Sequence, residues 1–365
     1  MVKDINKLLE EYESKEKKEE IATEEKPEKK RREVITKENI SVKKIKLDAY
    51  DRKILELLLQ NSRESINIIG KKVRLSRENV DYRIKRMIKD GLISSFNVVF
   101  DEKKLGLLRY GVFLELINLN NNNEKRILTY LKENKNVSWA STNAGKWSLV
   151  FDVLIKQKEE FDNLMNTLLS KFHKFIGEYS IISVDQIDYY SEKMLNLKVR
   201  KQDEKKFGVV KIDKIDSKII SMLNEDAWSS YVKIAGKVGL TANAVNKRVE
   251  NMENKGIIVG YTASLDWKKL GFELYGLQLK IIKFDNEQLA KLISYLSDNN
   301  NIMAYYKYFG GAWDYDIGVI VRNSEELRKF IKNFRETFSD FIKISDVSII
   351  LSEETSYKLP QGVFD

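Results

Sequence analysis

Side chains that can bind nucleic-acid bases and phosphates recur on one face of a helix that we predict over residues 76–90. At 100° per residue, the apolar side chains of this segment fall together and are expected to face a core. Asn79, Tyr82 and Arg86 fall on the opposite side, with Arg83 on a flank. Asparagine can bond adenine, arginine can bond guanine or phosphate, and tyrosine can pack on sugar or donate to phosphate. The pattern therefore predicts a helix that contacts DNA.

A second predicted helix, over residues 241–255, carries a similar outer face. Lys247 and Asn251 face outward, and Asn243 and Arg248 lie on the flanks. Ser76 and Thr241 begin the two predicted helices, where serine and threonine are favoured as N-cap residues. The predicted DNA-binding residues are Ser76, Arg77, Asn79, Tyr82, Arg83 and Arg86 in the first helix and Thr241, Asn243, Lys247, Arg248 and Asn251 in the second.

The elements before the first of these helices complete a helix-turn-helix pattern. A predicted helix over 48–59 has an apolar stripe, a short helix follows over 66–73, and a turn at Leu75 leads into the capped third helix. Gly91 ends that helix, as a C-terminal glycine should. In a helix-turn-helix, the last helix enters the major groove.

The whole arrangement recurs at a spacing of 165 residues, which indicates an internal duplication. Positions on the first helix, the turn, the third helix and its terminator all match without a gap. The matches include Asp48 with Asp213, Asp51 with Asp216, Leu75 with Leu240, Arg83 with Arg248, Gly91 with Gly256 and Lys104 with Lys269.

The two helical segments differ in charge. Residues 47–93 carry eleven basic and seven acidic residues, whereas residues 212–258 carry seven and six. The first segment therefore has a net charge of +4 and the second of +1. Because cationic side chains neutralise phosphates, we expect the first segment to bind DNA more tightly.

Composition excludes several other classes of protein. The chain has 365 residues, a net charge of +9, no cysteine and one histidine, His173, so neither thiolate chemistry nor a histidine-based zinc site is expected. We predict no catalytic residue, no metal site and no cofactor. No apolar run is long enough to span a bilayer and no secretory signal is evident, so we expect a cytoplasmic protein without a membrane partner.

After the helices, each copy alternates as β-α-β-β-α-β, which is the ferredoxin-like arrangement. The predicted fold class is α+β, with two copies of a winged helix-turn-helix followed by a ferredoxin-like sensing domain. The predicted parts are a charged flexible extension (1–45), a first winged helix-turn-helix (46–100), a first sensing domain (101–190), a linker (191–210), a second winged helix-turn-helix (211–265), a second sensing domain (266–352) and a tail (353–365).

Several stretches of this tandem resemble the leucine-responsive/asparagine regulator (Lrp/AsnC) family of bacteria and archaea. The stretches are 47–55, 75–86 and 90–93 in the first copy and 212–219, 240–249 and 255–261 in the second. The resemblance implies transcriptional regulators that bind double-stranded DNA and carry a dimer-forming domain in which small molecules, often amino acids, bind between subunits.

The resemblance also implies an effector-binding turn with a Gly-x-x-Asp pattern between the second and third strands of the sensing domain. The second copy keeps the pattern from Gly311 through Trp313 to Asp314, and these three are the expected effector-binding residues. The first copy has Ser148 in place of the aspartate, which argues against an effector site there.

Ordinary family members carry one module and dimerise, so two modules in one chain suggest an intramolecular pseudo-dimer. We expect the two sensing sheets to pack face to face, with further oligomers left open. Two unequal DNA-reading heads would prefer an operator whose half-sites differ.

Two other functions remain as alternatives. Siroheme decarboxylases resemble this family in fold and also occur as fused tandems, but the corresponding stretches here, 137–140 and 302–305, contain no histidine. The third alternative is an interaction protein that pairs with related regulators and binds DNA weakly without regard to sequence.

Overall fold

The computed structural model describes residues 44–190, 208–283, 285–354 and 359–364. The predicted extension and linker lie almost wholly outside these ranges, as does part of the predicted tail. The first copy comprises α1 (Ala49–Gln60), α2 (Ile66–Val73), α3 (Arg77–Lys89), β1 (Ile93–Phe100), β2 (Leu108–Leu116), α4 (Asn121–Glu133), β3 (Val137–Ala144), β4 (Leu149–Ile155), α5 (Lys158–Phe172) and β5 (Ile176–Tyr189). The second copy comprises α6 (Lys214–Glu225), α7 (Tyr231–Val238), α8 (Ala242–Asn254), β6 (Ile258–Leu265), β7 (Glu273–Ile281), α9 (Asn286–Asp298), β8 (Ile302–Phe309), β9 (Tyr315–Val321), α10 (Ser324–Phe338) and β10 (Ile342–Glu353).

The helix-turn-helix segments form as predicted. The Ser76 hydroxyl caps α3 by accepting the backbone N–H of Asn79 at 3.3 Å, and Thr241 caps α8 in the same way. Gly91 follows α3 with φ of 72°, a left-handed conformation that glycine adopts at little cost. The predicted inward faces are confirmed, because the following side chains are buried: Val80, Ile84, Met87 and Ile88 in α3, and Val245, Val249 and Met252 in α8.

The two helix-turn-helix heads are joined by a sheet to which each copy gives one strand. β1 and β6 pair antiparallel, with Val98 opposite Tyr261. One hydrophobic core runs through both heads and includes Leu58 and Val80 of the first copy and Leu223 and Val245 of the second. Because they share a core and a sheet, the heads form one body.

Unlike residues make equivalent contacts where the segment after α1 meets the segment after α6. The Trp228 indole N–H donates to the Ser62 carbonyl at 2.6 Å, and its ring stacks on Phe96 at 4.0 Å. In the opposite direction, Arg63 occupies the position equivalent to Trp228. Its guanidinium donates to the Ala227 carbonyl and lies 5.3 Å from the centroid of the Tyr261 ring. Two different side chains thus perform the same task.

The remaining strands close into one eight-stranded barrel in the order β10-β3-β4-β2-β5-β8-β9-β7. The two sheets that we expected to pack face to face also hydrogen-bond along both edges, which the sequence did not predict. The cause is the length of the edge strands. β5 pairs with β2 through Ser183 and then continues along β8 to Tyr189, and β10 pairs with β7 and then with β3. Each long strand thereby satisfies backbone groups that a sheet edge would leave unpaired.

The spacing between copies grows from 165 to 166 residues at the turn between β8 and β9. Asn143 and Tyr308, which are 165 apart, both line the barrel interior, and so do Val150 and Asp316, which are 166 apart. The turn between β8 and β9 is therefore one residue longer than the turn between β3 and β4. With this extra residue, equivalent faces of β4 and β9 both point into the barrel.

A buried ion triad joins the first head to the barrel. Arg109 on β2 donates to Asp152 on β4 at 2.7 Å and also pairs with Glu102, which follows β1. The side chains of Arg109 and Asp152 are 10% and 5% exposed. The equivalent positions of the second copy hold apolar residues or glycine, namely Trp267, Leu274 and Gly318.

The C-terminal residues join the second head to the first half of the barrel. The Asn224 amide on α6 bonds both the backbone N–H and the carbonyl of Leu359, at 2.9 and 2.8 Å. The N–H of Gly362 then donates to the carbonyl of Lys135, which precedes β3. This segment therefore connects the head of the second copy to the barrel half of the first copy.

Candidate nucleic-acid interface and effector turn

The outer face of α3 presents two of its predicted DNA-binding residues to solvent. Tyr82 is 64% exposed, and Asn79 is also exposed one turn before it. Ser76 and Arg77 are exposed at the start of the helix, although the Ser76 oxygen is already engaged as the cap. The start of α3, which in a helix-turn-helix meets base edges, is therefore accessible.

Arg83 and Arg86 are held by acidic residues of α1. Arg83 lies 2.7 Å from both Asp48 and Asp51, and Arg86 lies 2.6 Å from Asp51, whose side chain is 2% exposed. The Asp51 backbone N–H, followed by Arg83, lowers the pKa of Asp48. These arginines therefore fix the angle between α1 and α3, which the sequence reasoning did not foresee.

The second head repeats this contact with one arginine fewer. Arg248 pairs with Asp213 and Asp216 at 2.7 Å, while Asn251 stands where the first copy has Arg86. Asn251, Asn243 and Lys247 are exposed on α8. The signal that could have revealed the contact was present, because the two aspartates and the arginine recur together in both copies.

Asp314 anchors the predicted effector turn to its own sheet. One carboxylate oxygen accepts the backbone N–H of Ile281 at 2.8 Å, and the other lies 3.1 Å from the Lys280 ammonium. Ser148 takes the same place in the first copy, where its hydroxyl accepts the N–H of Leu116 at 3.0 Å. In both copies, the side chain at this position therefore anchors the turn to the first strand of its sheet, β2 or β7.

The three predicted effector-binding residues do not point to one place. Gly311 is exposed with φ of 111°, whereas Trp313 is 3% exposed and turns into the barrel. There its ring lies 4.9 Å from Phe113 and 5.8 Å from Trp147. The turn thus separates the buried Trp313 from the partly exposed carboxylate of Asp314.

Two further sequence expectations concern groups outside these sites. The imidazole Nδ1 of His173 lies 3.2 Å from the Ser170 carbonyl in an exposed position after α5. In the described ranges, no helix combines the length and the apolar character that crossing a bilayer requires.

Two winged helix-turn-helix heads on an α/β body define a DNA-binding class, and family models match both heads. The AsnC-type helix-turn-helix domain matches residues 47–88, and a winged helix-turn-helix DNA-binding domain matches residues 212–259.

Individual regulators extend the match beyond the heads. The HTH-type transcriptional regulator Ptr1 of Methanocaldococcus jannaschii is 35% identical over 123 residues, which is 33% of this chain and 79% of that protein. LrpA of Pyrococcus horikoshii, also an HTH-type transcriptional regulator, is 33% identical over 124 residues, or 33% of this chain and 84% of LrpA. The chain belongs to the Lrp/AsnC family of transcriptional regulators, as a tandem duplication of its module.

A solved structure resembles the fused tandem as a whole. The crystal structure of the siroheme decarboxylase NirDL aligns with a TM-score of 0.58, over 85% of this chain and 94% of that one. The sequences are 9% identical, so the likeness concerns the fold alone.

Proposed function

We propose that this regulator reads two unlike half-sites in the DNA major groove, one with α3 and one with α8. The observation that carries the proposal is the exposed outer face of each third helix, on heads that one sheet and one core hold together. Asn79 and Tyr82 on α3, and Asn243, Lys247 and Asn251 on α8, are the residues proposed to reach DNA. Arg83, Arg86 and Arg248 are proposed to contact phosphate only with the part of each guanidinium that the aspartates leave free.

Replacing Asn79 with alanine is expected to weaken binding to a genome-selected operator by about 1–3 kcal/mol if it contacts a base. Binding to a scrambled duplex should change little. Fluorescence anisotropy on both duplexes over a salt series measures the affinities and the salt slopes.

Two variants serve as controls for this measurement. Asn163→Ala, on the exposed surface of α5, should leave both affinities unchanged. Arg86→Ala should lower stability, because Asp51 loses one of its two cationic partners. An equal loss on both duplexes for Asn79→Ala would assign Asn79 to phosphate rather than to a base.

The chain is also proposed to act as an intramolecular pseudo-dimer of two ferredoxin-like sensing domains. The element order β-α-β-β-α-β in each copy supports this, as does the matching strand order β3-β4-β2-β5 and β8-β9-β7-β10. The proposed boundaries are those predicted from the sequence, with heads at 46–100 and 211–265 and sensing domains at 101–190 and 266–352.

An amino-acid effector is proposed to bind at the turn of the second copy through Gly311 and Asp314. Family membership supports this class of ligand. Calorimetry against the twenty amino acids should detect at least one binder, and Asp314→Ala should weaken it. Since Asp314 also anchors the turn, Asp314→Ser is the matched control, because Ser148 performs that anchoring in the first copy. An effector that binds Asp314→Ala as tightly as wild type would contradict the assignment.

Enzymatic activity is not part of the proposal. The curated relatives are transcriptional regulators, and the likeness to NirDL reaches only the fold.

A further inference from the structure

The barrel contains a partly open cavity of about 60 Å³ between its two halves. At about 10–15 Å³ for each water position, this space accommodates about four to six water-sized groups. Its wall combines polar groups and aromatic rings from both copies. Asp316, Gln278 and Tyr308 contribute polar atoms, while Phe113 and Trp139 contribute rings.

Polar side chains on this wall lack partners within the protein. Gln278 is 4% exposed, yet its amide makes no hydrogen bond with any residue in the described ranges. The same holds for the hydroxyl of Tyr308, which is 7% exposed, and for the carboxylate of Asp316. Buried polar groups nearly always have a hydrogen-bond partner. The buried Gln278 and Tyr308, together with the half-buried Asp316, therefore indicate a place for a bound species.

The charge of the wall is negative. Burial, followed by the nearby carboxylates of Asp152 and Asp346, raises the pKa of Asp316 to about 7. The guanidinium of Arg109 lies next to Asp152, but it is already paired with both Asp152 and Glu102. Among the described residues, no cation compensates Asp316 itself.

We propose that the barrel cavity binds a small organic ammonium ion, with Asp316 as its counter-ion. The ammonium hydrogens would bond to Asp316, Gln278 and Tyr308, and the rings of Phe113 and Trp139 would face the cation. A zwitterionic amino acid fits less well, because its carboxylate would enter a space that already holds unpaired negative charge. The inference does not depend on DNA binding, since the cavity lies inside the barrel, away from both heads.

The acid-base behaviour of Asp316 gives this site a pH signature. Without ligand, the carboxyl group is half-protonated at about pH 7, and the ammonium ion requires it ionised. Binding therefore releases a proton below this pH, and the affinity should rise about tenfold per pH unit up to about pH 7 and then level off. Asp152 and Asp346 are the charged groups that act on Asp316 directly, and Arg109 and Glu102 act in turn on Asp152.

Calorimetry on the full chain with ethylammonium, ethanol and acetate tests the proposal directly. For a ligand of three heavy atoms, a Kd of about 1 mM for ethylammonium is the expected scale, with no measurable binding of ethanol or acetate. Heats measured in buffers of different ionisation enthalpy should show proton release at pH 6 and little at pH 8.

Asp316→Asn should reduce the affinity for ethylammonium at least tenfold and remove its pH dependence, whereas Asp340→Asn in the exposed turn after α10 should change neither. If Asp316→Asn does not fold, Gln278→Met provides a second variant, for which a several-fold loss is expected. Equal binding of ethanol, absence of heat with about 50 mM ethylammonium at pH 8, or unchanged binding by Asp316→Asn would overturn the proposal. Binding that sodium or potassium chloride matches would show a site for inorganic cations instead.

Discussion

Replacing Arg109 with leucine is expected to lower the free energy of unfolding by about 3–5 kcal/mol, because it leaves a buried carboxylate without its cation. Burial raises the pKa of Asp152, and Arg109 opposes that rise. In the variant the pKa should rise further. A raised native pKa stabilises the fold at low pH and loses that contribution as pH rises, so the defect should grow from acid toward neutral pH.

Urea denaturation followed by tryptophan fluorescence at several pH values measures this effect. A second replacement, Asp152→Asn, removes the stranded charge, so the double variant should regain part of the loss. The second copy shows that this place in the fold does not require charge, because Leu274 and Gly318 occupy the equivalent positions. A double variant less stable than Arg109→Leu alone would show that the triad contributes through more than charge pairing.

Trp228→Ala is expected to lower the free energy of unfolding by about 2–4 kcal/mol, since a partly buried indole, its stack on Phe96 and its bond to the Ser62 carbonyl all disappear. The heads should then hold their spacing less firmly. Affinity for an operator with both half-sites should fall more than affinity for either half-site alone. Thermal unfolding and anisotropy on the three duplexes measure the two effects.

Trp228→Arg is the matched control for this prediction, because Arg63 already makes the equivalent contact from the first head to the second. We expect this variant to stay within about 1 kcal/mol of wild type. If alanine and arginine at position 228 destabilised the protein equally, the donor to the opposite carbonyl would have no role in joining the heads.

The helical heads could be predicted from the sequence because their signals are local. N-cap residues, an apolar stripe and a terminal glycine act within a few residues of one another, so the inward face of α3 was predicted correctly. The joining of the two sheets could not be predicted in this way. Strand periodicity shows which side of β5 is apolar, but not that its second half pairs with β8 of the other copy.

The candidate sites were predictable to a smaller degree. A helical wheel places Arg86 on the outer face, but it cannot show that Asp51, 35 positions earlier, is buried beneath it. Likewise, the Gly-x-x-Asp pattern located the turn without showing that Trp313 enters the barrel. The cavity around Asp316 had no sequence signal, because its wall comes from strands of both copies.

The unlike pair Arg63 and Trp228 has a consequence for how such a chain can change. In a twofold homodimer, a single substitution alters both symmetry-related contacts at once, so every residue must suit its own symmetry mate. Here each of the two contacts is encoded separately, and one can vary while the other keeps the heads together. Fusion has therefore released this contact from the requirement of self-complementarity, and it extends the same freedom to the two DNA-facing helices.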